Sequence, residues 1–104
     1  MFLNKGGFWR LYRKAERLIN EGRVIEISPI MYYVIGDHGK YFVRIQNGRV
    51  KCMCDGYRKR KYCSHVLSVL LLMLREDYRY RMEAAIRNRL KKQFREIVKG
   101  NYLR

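Results

Sequence analysis

Carboxylates are scarce in this chain, which has 9 Asp and Glu residues against 24 Lys and Arg residues and a formal net charge of +15. They show no pairing suited to general acid–base catalysis. A Ser/His/Asp arrangement and a phosphate-binding glycine loop are also missing, so we expect that the protein is not an enzyme. The basic excess favours a polyanionic partner, nucleic acid before an anionic membrane or an acidic protein, over a merely solvated basic surface.

Long apolar runs are missing as well. The longest, from Val66 to Leu74, is interrupted by Ser68 and is too short to span a bilayer, so we expect no membrane association. There is no signal-peptide pattern, which predicts a cytoplasmic location where thiols stay reduced. Three cysteines cannot pair completely, and a disulfide between two of them or three buried free thiols remain the alternatives to a metal site.

All the cysteines lie close together, as Cys52-x-Cys54 and Cys63, and His65 follows two residues after the last of them. Alternate residues of a strand point to the same side, so the first pair can chelate one ion, and the second pair can close the site from the start of the next helix. Four such donors complete a tetrahedral structural zinc site and leave no open catalytic position. We therefore predict one structural Zn²⁺. His38, the other histidine, is expected to be a solvated turn residue.

The pattern Cys52-x-Cys54, a spacer, and Cys63-x-His65 running into an apolar helix resembles the SWIM zinc-finger family. The resemblance covers residues 31–73, and the N-terminal helix and the chain beyond about Arg75 lie outside it. SWIM domains are regarded as DNA-binding or protein-interaction modules, so the resemblance implies one of these two roles and a zinc-bound core.

The remaining pattern predicts one α+β domain over residues 1–104. An amphipathic helix within 1–22, from about Gly7 to Glu21, should end at Gly22. A small antiparallel sheet of three to four strands should follow, and the Cys₃His site should belong to a ββα zinc finger. The predicted strands are Arg23–Ser28, Met31–Ile35, Lys40–Gln46 and Arg49–Cys54.

Asn47-Gly48 is a strong signal for a two-residue type I′ hairpin turn. The turn would place Arg44 opposite Lys51 and Val43 opposite Cys52. It would also put Arg44, Arg49 and Lys51 on the face away from the metal. Like charges directly opposed in a sheet are unfavourable, and an anionic ligand on this face would explain them, although the two side chains could also splay apart in water.

The C-terminal part should be helical with a break near Glu76-Asp77. Asp77 would cap a second helix from about Tyr78 to Lys99 that Gly100 ends, and a single curved helix is the alternative. This basic segment, residues 77–104, could track a nucleic-acid backbone or form an oligomer.

The densest basic cluster, Arg58-Lys59-Arg60-Lys61, lies in the predicted polar loop between the ligand pairs and is flanked by Tyr57 and Tyr62. Its charge could offset the thiolates, but aromatic residues interleaved with cations also suit phosphate contact and base stacking, which we favour.

The predicted function is therefore nucleic-acid binding, with DNA favoured over RNA, through phosphate contacts of weak sequence specificity. An adaptor for a recombination, replication or transcription protein is the alternative. The sequence leaves open whether single or double strands are bound. The predicted contact residues are Arg44, Arg49, Lys51, Tyr57, Arg58, Lys59, Arg60, Lys61, Arg87, Lys91 and Lys92.

Overall fold

A computed structural model describes residues 5–99 of the chain and the side chains of residues 7–99. The elements in chain order are α1 (Lys5–Asn20), β1 (Val24–Ser28), β2 (Met31–Ile35), β3 (Lys40–Gln46), β4 (Arg49–Lys51), α2 (Asp55–Arg60), α3 (Ser64–Leu74) and α4 (Glu76–Val98). The predicted α+β class is confirmed, with an N-terminal helix, a four-stranded antiparallel sheet and then helices. Among the described residues, no helix is both long enough and apolar enough to cross a membrane.

Gly22 ends α1, as predicted. It adopts a φ of +72°, a conformation that glycine reaches without steric cost. The N–H of Gly22 donates to the carbonyl of Ile19 at 3.1 Å, and the N–H of Arg23 donates to that of Leu18 at 2.9 Å. This Schellman-type pair satisfies the last carbonyls of the helix and turns the chain into β1. The guanidinium of Arg89 in α4 also donates to the Gly22 carbonyl, at 2.8 Å.

The sheet has the strand order β1-β2-β3-β4. The predicted hairpin turn is confirmed, since Asn47 and Gly48 have φ values of 54° and 73°. The register is also confirmed where β4 exists, because Arg44 lies opposite Lys51. However, β4 ends at Lys51, so the strand predicted to reach Cys54 was too long. The predicted pair of Val43 with Cys52 is not part of the ladder between β3 and β4. The chain leaves the sheet here because Cys54 caps the following helix.

One face of the sheet forms the core with α1, α3 and the first half of α4. Tyr32, Val34 and Val43 are buried on this inner face, and Val69 and Leu72 of α3 are buried against the same cluster. On the other face, β3 and β4 expose their side chains to solvent. We call this second surface the outer face of the sheet, and it carries the alternate residues of each strand.

The two C-terminal helices meet at Arg75, which is extended with φ −137° and ψ 122°. Two helices rather than one curved helix are therefore confirmed, but the predicted cap was wrong. No side chain caps α4, and Asp77 lies in its first turn, where both carboxylate oxygens accept hydrogen bonds of 3.1 Å from Arg75. A short-range ion pair thus replaces the capping role expected for Asp77. The predicted helix end at Gly100 lies outside the described residues.

Ion pairs hold α4 against the sheet and against α1. Arg79 binds Glu26 of β1, and Arg81 lies 3.7 Å from Glu16 of α1. The buried Tyr78 hydroxyl donates to Glu16 at 2.7 Å, and its burial, followed by its hydrogen bonds, raises the pKa of that phenol. Across the molecule, the hydrogen bond from Arg17 holds the pKa of Asp37 below its usual range. These ion pairs therefore link α1 to α4 and to the turn after β2, and link α4 to β1.

Candidate metal centre

Four side chains with metal-binding atoms converge where the sheet meets α2 and α3. The sulfurs of Cys52, Cys54 and Cys63 and a ring nitrogen of His65 all lie within 4.8 Å of one another. The three cysteines are buried and His65 is half-buried. The Nδ1 of His65 lies 3.7 Å from the Cys52 sulfur, which identifies Nδ1 as the nitrogen that faces the cluster. This Cys₃His group can hold one metal ion, and its donors are those of closed tetrahedral sites.

Two of the sulfurs also cap helices. The N–H of Tyr57 donates to Cys54 Sγ and the N–H of Val66 donates to Cys63 Sγ, each at 3.4 Å. Since Cys54 is the N-cap of α2 and Cys63 is the N-cap of α3, the ligands fix where both helices begin.

The segment between the ligand pairs was predicted to be a loop. This is only partly right, because residues 55–60 form the short helix α2. Cys54 caps its start, and the N–H of Lys61 donates to the carbonyl of Tyr57 at 2.7 Å to close its end. Lys61 adopts a left-handed φ of 66°, which a non-glycine residue adopts at some cost. These interactions outweigh the Asp55-Gly56 pair, which favours a turn.

The thiols interact strongly with one another. A hydrogen bond with Cys63 lowers the pKa of Cys52, and burial opposes this shift. The same hydrogen bond and burial raise the pKa of Cys63, so the two groups do not ionise together on their own. A divalent cation would let all three sulfurs be thiolates, and its binding would therefore release protons.

His65 is positioned by two residues that sequence reasoning missed. The ring of Tyr41 lies against the imidazole, with centroids 4.9 Å apart and planes at 34°. Gly36 approaches the other ring nitrogen so closely that a Cβ at position 36 would lie 2.6 Å from His65 Nε2. Strand alternation could have placed Tyr41 on the inner face, but no local pattern links either residue to a histidine so far along the chain. A side chain at position 36 would displace the ligand ring.

We expect Gly36→Ala to weaken metal binding roughly 10- to 100-fold, the range typical for disturbed outer-shell partners of metal ligands. Competition with a chromophoric chelator would measure it. Gly56→Ala is the matched control, because the one close approach of a Cβ there is to the mobile end of Arg60, 2.8 Å away, and its 3.8 Å distance from the Cβ of Cys63 is ordinary contact. Alanine also suits a helix. Equal affinities of the two variants would show that Gly36 does not set the position of the ligand ring.

The predicted contact residues lie in three places. Arg44, Arg49 and Lys51 share the outer face of the sheet and are exposed. Arg58, Lys59, Arg60 and Lys61 are exposed on and just after α2, next to the metal cluster, whereas Tyr57 is half-buried and packs against the core. Arg87, Lys91 and Lys92 are exposed on the second half of α4. The structure therefore brings the strand residues together but does not merge the three groups into one site.

A cleft of about 350 Å³ adjoins the metal cluster between α1, the turn after β2 and α2. Lys14, Arg60 and His38 line it together with His65. His38 is exposed and belongs to the turn between β2 and β3, as the sequence predicted.

Comparisons of the chain with protein-family models, with curated proteins and with solved structures found no match.

Proposed function

We propose that this chain is a small zinc-stabilised nucleic-acid-binding protein that acts mainly through phosphate contacts, with DNA favoured over RNA. Zinc is the metal we infer, because three thiolates and one imidazole form the closed tetrahedral donor set typical of structural zinc sites. Soft sulfur donors disfavour Mg²⁺ and Ca²⁺, which prefer oxygen ligands.

The separation of charge is the observation that carries this proposal. Asp55 is the only carboxylate between His38 and Leu74 in the sequence. The described carboxylates in ion pairs belong to α1 and the turn just after it, β1, the turn at Asp37 and the start of α4. These pairs do not involve any basic residue of β3, β4 or α2. The basic residues of β3, β4 and α2 therefore form no ion pair with a described carboxylate, which favours a polyanionic partner.

The SWIM resemblance supports the same proposal. In the structure, a β-hairpin leads into Cys52-x-Cys54, and Cys63-x-His65 opens the apolar helix α3, the order of elements that the resemblance implies. We infer that residues 31–73 form a SWIM-type zinc module. Its expected roles, DNA binding and protein interaction, correspond to the two functions considered for this chain.

Fluorescence anisotropy tests the proposal directly. We expect zinc-loaded protein to bind labelled oligonucleotides near physiological salt, with an affinity that falls linearly with the logarithm of salt concentration. Duplex DNA, single-stranded DNA and RNA of equal length would be compared. Absence of binding to all three polymers would contradict the proposal.

A second candidate, a protein-interaction adaptor, is favoured by one observation on α4. Leu90, Phe94 and Val98 are 60%, 66% and 68% exposed and recur every four residues along the helix. Arg87, Lys91 and Arg95 lie beside them. A partner with an acidic rim around an apolar groove would match this surface, whereas a second copy would bring like charges together. A complex that survives high salt, from a chain with no nucleic-acid affinity, would favour this role.

A further inference from the structure

The outer face of the sheet carries a row of apolar and aromatic side chains. Tyr33 of β2 lies directly opposite Phe42 of β3, and Ile25 of β1 lies opposite Tyr33 on the other side. The two aromatic rings have centroids 5.2 Å apart and planes at 49°. Phe42 is 52% exposed and Tyr33 is half-buried, so both rings keep surface that a ligand can reach. Exposed neighbouring aromatic rings on a sheet have the form of a stacking platform.

Cations flank this platform on both sides. Arg44 and Lys51 lie opposite each other in the row on one side, and Lys40 lies opposite Ile35 on the other side. The strands contain one carboxylate, Glu26, and it belongs to the inner face, where Arg79 binds it. The outer face of the four strands is thus basic and has no acidic residue, and a bound anion would relieve the repulsion between the opposed cations.

The row of apolar residues continues towards α4. Ile25 also lines a groove of about 550 Å³ between the sheet and α4, together with Ile35 and Leu90. Arg89, Lys92 and Glu96 of α4 lie along the same groove, so cations outnumber carboxylates there. An extended chain could therefore cross the sheet from α4 to β4 and meet cations at both ends. Adjacent strands are about 4.8 Å apart, so this path crosses roughly 15 Å, the reach of a few nucleotides.

From this arrangement we infer that the outer face binds single-stranded nucleic acid. Bases stack on Tyr33 and Phe42, and Lys40, Arg44 and Lys51 contact the phosphates. A single strand is the occupant because its bases are free to present their faces, whereas those of a duplex are already stacked on one another. A second copy of the chain would oppose like charges across the interface, and an uncharged protein surface would leave them unpaired. This inference rests on the proposed function and names its substrate class.

The test compares two double variants that leave the charge unchanged. Tyr33→Leu with Phe42→Leu keeps apolar, strand-compatible side chains but removes the stacking surfaces. Tyr33→Phe with Phe42→Tyr exchanges the two rings and keeps both surfaces, and circular dichroism would confirm that each variant folds. Affinities for a single-stranded 12-mer and a duplex of equal length would be measured by anisotropy across a salt series.

In addition, an oligonucleotide containing 5-iodouracil would be photocrosslinked to the unaltered protein, and the attachment site would be found by mass spectrometry.

We expect the leucine variant to lose roughly tenfold or more in single-strand affinity with the salt slope unchanged, because stacking is lost but the phosphate contacts remain. The ring exchange should retain affinity, and crosslinks should map to Tyr33 or Phe42. Unchanged single-strand affinity of the leucine variant would overturn the inference while leaving nucleic-acid binding intact. Failure of the unaltered protein to bind any polymer would instead overturn the proposed function. A dimer in sedimentation that only the leucine variant abolishes would assign this face to self-association and overturn the inference.

Discussion

Stripping the metal from the protein with a strong chelator is expected to unfold most of the chain, and one equivalent of Zn²⁺ is expected to restore it. The four ligands lie just after β4 and at the starts of α2 and α3. Without the metal, nothing would hold these three parts of the fold together at the cluster. Binding of a structural zinc is worth about 10–16 kcal/mol in zinc-finger peptides, which matches or exceeds the 5–15 kcal/mol stability of a typical domain. Loss of far-UV circular dichroism and of a sharp thermal transition would report the unfolding.

Two variants at neighbouring positions distinguish the loss of a metal ligand from the effect of any serine substitution in this segment. Cys54→Ser removes a ligand and the sulfur cap of α2, whereas Met53→Ser changes a side chain that is 60% exposed between two ligands. We expect the first variant to lose the metal and the cooperative fold and the second to keep both. Metal content by mass spectrometry and the thermal midpoint would measure this. Equal thermal midpoints for the two variants would contradict a structural metal at this cluster.

The second large effect is expected from the basic cluster at α2. Replacing Arg58 and Lys59 by alanine and Lys61 by glycine removes three positive charges and leaves all four metal ligands in place. Glycine suits position 61 because the backbone there has a φ of 66°. If the three side chains contact phosphates, DNA affinity should fall on the order of 10²-fold near 0.1 M salt, and the salt slope should decrease by up to about 2.7 on a duplex or about 2.1 on a single strand. Arg60 is kept because its guanidinium lies over the ring of Tyr62, 5.5 Å from the centroid.

A matched control removes as many charges from the exposed side of another helix. Arg10, Arg13 and Lys14 are exposed on α1, and their replacement by alanine lowers the net charge by the same amount. Anisotropy across a salt series would compare the two triple variants. We expect the α1 variant to lose much less affinity. Equal losses would mean that only the total charge matters, and the specific role of the α2 cluster would be wrong.

Local signals account for what the sequence predicted well. The Asn47-Gly48 turn sets the hairpin register within a few residues, and strand alternation then separates the inner and outer faces. The ligand spacing predicted the convergence of Cys52, Cys54, Cys63 and His65 because each pair is local. These are short-range properties of the backbone, which an isolated segment already carries.

Long-range contacts account for what the sequence could not predict. The helix α2 exists because the Cys54 sulfur accepts the N–H of Tyr57 in its first turn and Lys61 tolerates a left-handed backbone, and neither feature is visible in a run of basic residues. The approach of Gly36 to His65 joins residues far apart in the chain. Similarly, Asp77 is a good capping residue, but it binds Arg75 instead, and α4 begins at Glu76, two residues before the start at Tyr78 that a cap at Asp77 would require.

The most direct test of the link between the metal and nucleic-acid binding is an anisotropy titration at fixed salt with one protein sample in three states. The sample would be titrated against labelled DNA when loaded with Zn²⁺, after the metal is stripped and the chelator removed, and after one equivalent of Zn²⁺ is returned. We expect tight, salt-sensitive binding in the first state, a large loss in the second and full recovery in the third. Equal binding in all three states would contradict a metal-organised binding surface, because charge alone would then hold the DNA.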